Sequence, residues 1–278
     1  MWRFSFYEIR KRGEGSMESF VTRKQKIVKY RNDHFEELDD EVAVEFPLTI
    51  VVDGQEFATM VCTPTHLEEL VIGFLASEGL IRSCKEIKAI SVDEHRGFAY
   101  VELVTKQSIQ KEFYAKRFIG SCCGKSRQFY FYNDMKTAKT VVHSTNVHVE
   151  QCFRLMQLLQ ERSTDFQATG GIHNAALCTP NELVIVRSDI GRHNALDKIY
   201  GYCLQHELSL SDKLIVFSGR VSSEVLLKVS KMGIGIILSK SAPTTLALDL
   251  ARDLGITIVG FLRGQTFNVY THVDQIIE

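Results

Sequence analysis

The chain has 278 residues, 45% of them apolar and 24% charged, with a formal net charge of −1. That is the profile of a globular protein with room for one large domain or two modest ones. So balanced a charge excludes a global field that would recruit nucleic acid or an acidic membrane, and any basic site must be local.

No apolar run approaches the roughly 18–20 residues that span a bilayer. Met1 to Gly15 mixes Trp2, Phe4 and Phe6 with Glu8, Arg10, Lys11 and Arg12. This segment lacks the apolar centre and small-residue cleavage site of a signal peptide, so a cytoplasmic location is expected, with neither nucleic acid nor membrane as partner. Residues 1–24 read as a flexible N-terminus. Arg12-Gly13-Glu14-Gly15-Ser16 precedes Met17, and Gly-Glu-Gly codons can spell a purine-rich ribosome-binding sequence. Translation is therefore expected to start at Met17.

Residues 27–62 read as strands. Phe46–Val52 and Glu56–Cys62 flank Asp53-Gly54, a strong hairpin signal. Thr63-Pro64 has the form of a helix start, a capping hydroxyl followed by proline. The helix it would open carries Leu67, Leu70, Val71, Phe74 and Leu75 on one face and closes at Gly79. Strands near 87–93 and 98–104 complete an α+β unit over 25–115. Lys116 to Arg127 is loop-like, within a linking segment over 116–145.

The C-terminal unit, 146–278, begins with a helix near 148–162. Thr169-Gly170-Gly171-Ile172-His173-Asn174 then forms a glycine-rich turn before a strand. Strand and helix alternate afterwards: 183–188 and 193–206, 214–217 and 222–232, 234–238 and 243–254, then 256–261. Gly233 and Gly255 close the second and third of these helices. The alternation predicts an α/β fold with a largely parallel sheet.

In such a sheet ligands bind beyond the carboxyl ends of the strands. Four loops lie there: Ser188–His193, Ser218–Ser222, Ser239–Ser241 and Leu262–Thr266. Each holds one cation, namely Arg192, Arg220, Lys240 or Arg263, with hydroxyls or glycines beside it. Taken singly, each loop reads as a solvated cation and a capping hydroxyl. Four on one rim, three of them before helix N-termini, predict a site for a ligand with several anionic groups. Ser218, Gly219, His173 and His193 join it. A histidine at a helix start is disfavoured from protonation, which suits a neutral contact.

The seven cysteines are irregularly spaced, which argues against a disulfide framework. No Cys-x-x-Cys or His-Glu-x-x-His spacing occurs, and no structural zinc is expected. Cys122-Cys123 stands apart. Lys116, Arg117, Lys125 and Arg127 surround the pair, and Gly120, Ser121, Gly124 and Ser126 flank it. Cationic neighbours favour the thiolate. A reactive sulfur there can accept sulfane sulfur as a persulfide and pass it on.

Several segments together resemble the FdhD family. They are Phe74–Gly79, Gly170–Ala176, Asp189–Lys198, Ser218–Glu224, Ser241–Thr244 and Gly260–Tyr270, and the resemblance runs from about residue 40 to 272. It implies a C-terminal cytidine-deaminase-like three-layer domain without its zinc site, and a homodimer. It also implies a sulfur relay. A cysteine desulfurase loads a loop cysteine, and the carrier delivers sulfur to the molybdenum (or tungsten) bis-molybdopterin guanine dinucleotide of formate dehydrogenase.

The segment Phe261, Leu262, Arg263, Gly264, Gln265, Thr266 is implied in cofactor contact, and GDP-like guanine nucleotides are implied as ligands. Many members carry Cys-Gly-x-Cys-Gly in the loop. Here Cys123 occupies the second cysteine, Gly120 replaces the first, and Cys122 takes the variable place. The resemblance therefore implies either Cys122 or Cys123 as the persulfide carrier. Two other readings compete: a chaperone that binds the molybdenum cofactor without carrying sulfur, and a zinc-free relative of nucleoside deaminases that binds nucleotides.

Overall fold

A computed structural model of the chain describes residues 21–105, 118–119, 138–141 and 145–278. Met17, Cys122 and Cys123 lie outside the described residues.

Strands β1 (Thr22–Arg31) and β2 (His34–Ala43) form a separate hairpin. Its lysines face acids across the ladder, as in Lys24 opposite Glu41 and Lys26 opposite Asp39. Strands β3 (Phe46–Val52) and β4 (Gln55–Cys62) form the expected hairpin. Asp53 and Gly54 both take positive φ, 49° and 81°, the backbone of a turn that matches strand twist. With β5 (Ile87–Asp93), β6 (Phe98–Leu103) and β7 (Phe118–Ile119) they build a five-stranded sheet in the order β5-β6-β3-β4-β7. Phe118 and Ile119, expected in a loop, therefore form an edge strand parallel to β4.

Helix α1 (Leu67–Ser77) lies on this sheet, with Phe74 edge-on to Phe57 at 5.9 Å between centroids. Every residue from Leu70 to Ser77 is buried, as expected of a helix covered on both sides. The helix starts later than the sequence indicates. Its N-cap is His66, in left-handed backbone, and not Thr63. Thr63 is drawn away by a buried acid from the other sheet, Asp189, which accepts its N–H at 3.0 Å. A local capping preference is worth about 1 kcal/mol, and a charge-assisted hydrogen bond in the interior outweighs it. Gly79 closes the helix as expected, at φ 78°.

After the short strand β8 (Val147–His148), the C-terminal half holds α2 (Val149–Glu161), α3 (Thr164–Thr169), β9 (His173–Cys178), β10 (Leu183–Asp189), α4 (Arg192–Gln205), β11 (Leu214–Phe217) and α5 (Ser223–Met232). It continues with β12 (Ile236–Ser239), α6 (Thr245–Leu254), β13 (Thr257–Arg263) and β14 (Thr266–Val269), and ends on β15 (Ile276–Ile277), which pairs with β8. The six-stranded sheet runs β10-β9-β11-β12-β13-β14. It is mixed, not largely parallel. Only β11-β12 and β12-β13 pair parallel, because β9 inserts antiparallel between β10 and β11, and β14 returns antiparallel along β13.

One face of this sheet carries Ala175, Leu177, Ile215, Phe217, Ile237 and Ile258 into a core shared with α4, α5, α6, α1 and the five-stranded sheet. The other carries Ala176, Cys178, Leu214, Val216, Ile236 and Leu238 against Cys152, Leu155, Met156 and Leu159 of α2. This is the alternation that a sheet covered on both faces requires. No helix among the described residues is long and apolar enough to cross a membrane.

Helices α1 and α4 cross at two glycines. A Cβ on Gly73 would stand 1.8 Å from the Asp197 carbonyl oxygen, and one on Gly201 would stand 1.9 Å from the Glu69 carbonyl oxygen. The two halves of the molecule thus meet backbone to backbone.

Candidate anion-binding rim

Strands β10, β11, β12 and β13 all run the same way, although β9 separates β10 from the rest. Their carboxyl ends therefore share one rim. The antiparallel β9 adds its first residue there: His173 lies opposite Asp189, and Asn174 opposite Ser188. Neighbouring strands sit about 4.8 Å apart, so the rim from β10 to β13 is roughly 19 Å long, the scale of an extended nucleotide-bearing ligand.

Buried polar groups fix its first half. Asp189 is fully buried beside Lys198, at 2.7 Å. One of its oxygens accepts from the Gly191 N–H and from Asn194 Nδ2, each at 2.8 Å. Lys198 Nζ also donates to the carbonyls of Ser188 (3.1 Å) and Thr63 (3.2 Å). Asn174 gives its N–H to Ser218 Oγ (2.9 Å), accepts from the Ser218 N–H (2.9 Å), and takes Ser188 Oγ at its side-chain oxygen (2.6 Å). The loops after β10 and β11 are thereby pinned to the start of β9.

Arg192 opens α4 behind an N-cap, Gly191, that offers no side chain to the free amides. Its Nε is buried and has no hydrogen-bond partner among the described residues. An unpaired buried guanidinium nitrogen costs roughly 1–3 kcal/mol or more, and an anion at this helix N-terminus would satisfy it. Gly219 keeps the neighbouring loop close: a Cβ there would meet Phe217 Cζ at 2.9 Å and Arg192 Cβ at 3.3 Å. His193 directs Nε2 to Glu224 at 3.1 Å, so an acid engages the ring expected to contact ligand. Arg220 projects into solvent.

His173 is pushed below the ordinary histidine value of 6.5, first by burial and then by the Arg192 charge, with Asp189 opposing. A depressed histidine binds fewer protons folded than unfolded, so its contribution to stability is lost as pH falls below 6.5. The NMR titration midpoint of His173 is expected below 6.5, and Arg192→Gln should move it upward. A wild-type midpoint at or above 6.5 would contradict the geometry.

The second half of the rim is built differently. The Leu262–Thr266 segment is not a free loop. Strand β13 continues to Arg263, and Gly264, at φ 55°, turns the chain into β14. Leu262 is fully buried in the core beneath α2, so its side chain does not reach the rim. Arg263 gives Nε to the Lys240 carbonyl (3.0 Å) and lies over the Phe261 ring at 5.7 Å. Phe261 takes φ 52° at a break in register and remains 39% exposed. Thr266 Oγ1 donates to the Arg263 carbonyl (3.3 Å), and Gln265 is exposed. Lys240 donates its N–H to the Phe217 carbonyl (3.0 Å), and Ser239 Oγ donates to the Gly219 carbonyl (2.8 Å). These bonds tie the two halves together.

The rim thus gathers Arg192, His173, Ser218, Gly219, Lys240, Phe261 and Arg263, with His193 and Arg220 at its margin. Sequence reasoning missed Thr63, Asn174, Asp189 and Lys198 as the residues that shape it. The Ser-Asp before a helix-opening glycine was the available signal, a buried acid positioned to take loop amides.

Comparison with known proteins places the chain. A relative named "Sulfur carrier protein FdhD" from Geobacillus kaustophilus is 69% identical over 261 residues, 94% of this chain and 99% of its own. A relative of the same name from Bacillus subtilis is 54% identical over 262 residues, 94% of this chain and all of its own. Among solved structures, a putative formate dehydrogenase accessory protein from Desulfotalea psychrophila superposes with a TM-score of 0.76 at 25% identity, covering 92% of this chain and all of that one. The FdhD/NarQ family model matches residues 43–277, a span that takes in both sheets and the whole rim, and the chain belongs to that family.

Proposed function

We propose that this chain is a sulfur carrier for formate dehydrogenase. It takes persulfide sulfur from a cysteine desulfurase on Cys123 or Cys122 and delivers it to the molybdenum (or tungsten) bis-molybdopterin guanine dinucleotide bound at the rim. The relatives' names support the sulfur-carrier role. The observation that carries the ligand half is Arg192, whose buried Nε has no hydrogen-bond partner among the described residues and stands at a helix N-terminus without a side-chain cap.

The cofactor is the substrate here, and its phosphates would supply an anionic acceptor for the Arg192 guanidinium. Arg192 and the first amides of α4 would hold a phosphate. His173, kept neutral by burial, would exchange a hydrogen bond without adding charge. Phe261, exposed beside the Arg263 guanidinium, offers a flat face to a purine. A cytoplasmic homodimer belongs to the same proposal.

The sulfur chemistry balances. In loading, a carrier thiolate attacks the terminal sulfur of the desulfurase persulfide. The S–S bond breaks towards the desulfurase, which leaves as its thiolate, with no net oxidation. In delivery as sulfide, a second thiol attacks the inner sulfur of the carrier persulfide. The terminal sulfur departs as hydrosulfide and the two thiols become a disulfide. Cys122 and Cys123 can serve as that pair, and an external thiol then reduces them.

Persulfide trapping tests the reading. The chain is incubated with a cysteine desulfurase and cysteine, alkylated, and mapped by peptide mass spectrometry. One added sulfur on the Phe118–Arg127 peptide, lost in either Cys122→Ala or Cys123→Ala, is the expected result. GDP binding should fall about tenfold or more in Arg192→Gln, the loss of one charge-assisted contact. No sulfur gain, with formate dehydrogenase still activated by the double cysteine variant, would favour the chaperone that binds cofactor and carries no sulfur.

A further inference from the structure

Asn174 sits in the end of the six-stranded sheet, 1% exposed, between two half-buried serines. Strand β10 places Ser188 opposite it, and β11 ends so that the Ser218 N–H donates to the Asn174 carbonyl at 2.9 Å. Its side chain shares a sheet face with Ala176 and Cys178, since alternate residues of a strand point the same way. Ser188 Oγ lies 2.6 Å from Asn174 Oδ1. That is the spacing of a hydroxyl donating to an oxygen, shorter than the roughly 2.9–3.0 Å of an amide N–H donor. The contact therefore fixes how the amide is turned: its oxygen faces Ser188 and its NH2 group faces away.

Two donors are left over. No described residue accepts from Asn174 Nδ2, and this nitrogen is not sealed from solvent. Ser218 Oγ already accepts the Asn174 N–H at 2.9 Å, which leaves the hydroxyl proton to be given, and no described residue takes it. Only Gly219 separates Ser218 from the cationic side of the rim, where an added Cβ would stand 3.3 Å from Arg192 Cβ. Two neutral donors thus lie beside a guanidinium whose Nε also has no acceptor among the described residues. Donors gathered in this way at one strand end call for an oxygen-rich anion.

We propose that Asn174 is a ligand-binding residue of the rim: its side-chain NH2, set by Ser188 and joined by the Ser218 hydroxyl, donates to a phosphoryl oxygen of the phosphate that Arg192 holds. This rests on the reading of the rim as a site for a phosphate-bearing ligand. A phosphate offers oxygens in several directions, so one group can accept from the guanidinium and from the neutral donors together. The cation supplies attraction, and the neutral donors supply direction without adding charge.

The test uses the full chain as wild type, Asn174→Ala and Asn174→Asp. Alanine removes the amide. Aspartate keeps its shape and the acceptor for Ser188 but has no donor. The probes are GDP and inorganic pyrophosphate, which carries the phosphates without a base, and affinities are measured by calorimetry. Thermal melting confirms that each variant is folded, and the alanine variant decides if aspartate does not fold.

The expected result is binding of both probes weakened about tenfold in Asn174→Ala, the loss of one hydrogen bond to a charged group. Asn174→Asp should lose more, because its carboxylate also repels the anion. Wild-type affinity in either variant would overturn the proposal. A loss for GDP alone, with pyrophosphate bound as in wild type, would also overturn it, since the amide would then read the base. A wild type that binds neither probe overturns the rim reading and this one together, and one that binds GDP but not pyrophosphate overturns the phosphate assignment.

Discussion

Alanine at Gly73 or at Gly201 is expected to destabilise the fold by about 3 kcal/mol or more, the upper range for overpacking. On an ordinary helix surface glycine to alanine would instead stabilise by about 1 kcal/mol. The sign reverses here because the added carbon meets backbone. From Gly73 it would lie 1.8 Å from the Asp197 oxygen and 2.8 Å from the Gly201 nitrogen, and from Gly201 it would lie 1.9 Å from the Glu69 oxygen. None of these atoms can rotate aside, so α1 and α4 must part. Separation opens a core that contains Leu70, Val71, Leu196 and Ile199, all fully buried.

The measurement is urea unfolding, read as a lower midpoint at unchanged slope. Because both glycines serve one crossing, the double variant should cost little more than the worse single one. Displacement of α4 also moves Arg192 at its first turn, so GDP affinity should drop in any variant that still folds. A cost below about 1 kcal/mol for both would mean that the crossing is not as close as described.

The same crossing shows what was legible in the sequence and what was not. Strand and helix spans in the second half follow from apolar runs bounded by glycine. The β11 strand, Leu214–Phe217, falls where four consecutive apolar residues put it. The shared rim was also legible, and it survives a wrong assumption about the sheet. With β9 antiparallel, β10 to β13 still point the same way, and His173 is delivered to the rim from the opposite direction.

What stayed hidden is which polar residues face inward. Asp189, Arg192, Asn194, Asp197 and Lys198 sit in one short motif, yet Asp189, Asn194, Asp197 and Lys198 are interior and Arg192 is at the rim. Helical spacing separates them only once the partners are known, and the partners come from over a hundred residues away: Thr63, Val61 and Ser77. Thr63 misled for the same reason. A threonine before proline has a strong local meaning, and only tertiary structure supplies the acid that overrides it.

Lys228→Met should cost about 3–5 kcal/mol at neutral pH, the range for breaking one side of a buried ion pair. Lys228 meets both oxygens of Asp197, at 2.6 and 2.7 Å, and Ser77 donates to the same carboxylate at 2.6 Å. Both partners are almost wholly buried where α1, α4 and α5 meet, and Lys231 beside them donates to the Ser77 carbonyl. Burial already pushes the Asp197 carboxyl above its ordinary 3.8, and Lys228 is the chief influence holding it down. Removing that cation raises it further.

A carboxyl raised on folding binds more protons native than unfolded, so stability falls as pH rises through the window between 3.8 and the folded value. The variant's deficit against wild type should therefore shrink as pH is lowered towards that window, where Asp197 becomes a neutral acid that can still bond Ser77. Adding Asp197→Asn to Lys228→Met should recover most of the loss, since the remaining partners are neutral. Denaturant midpoints for the three variants across pH decide the matter. A deficit that stays constant with pH, or a double variant no better than the single, would mean that Lys228 contributes packing and not compensating charge.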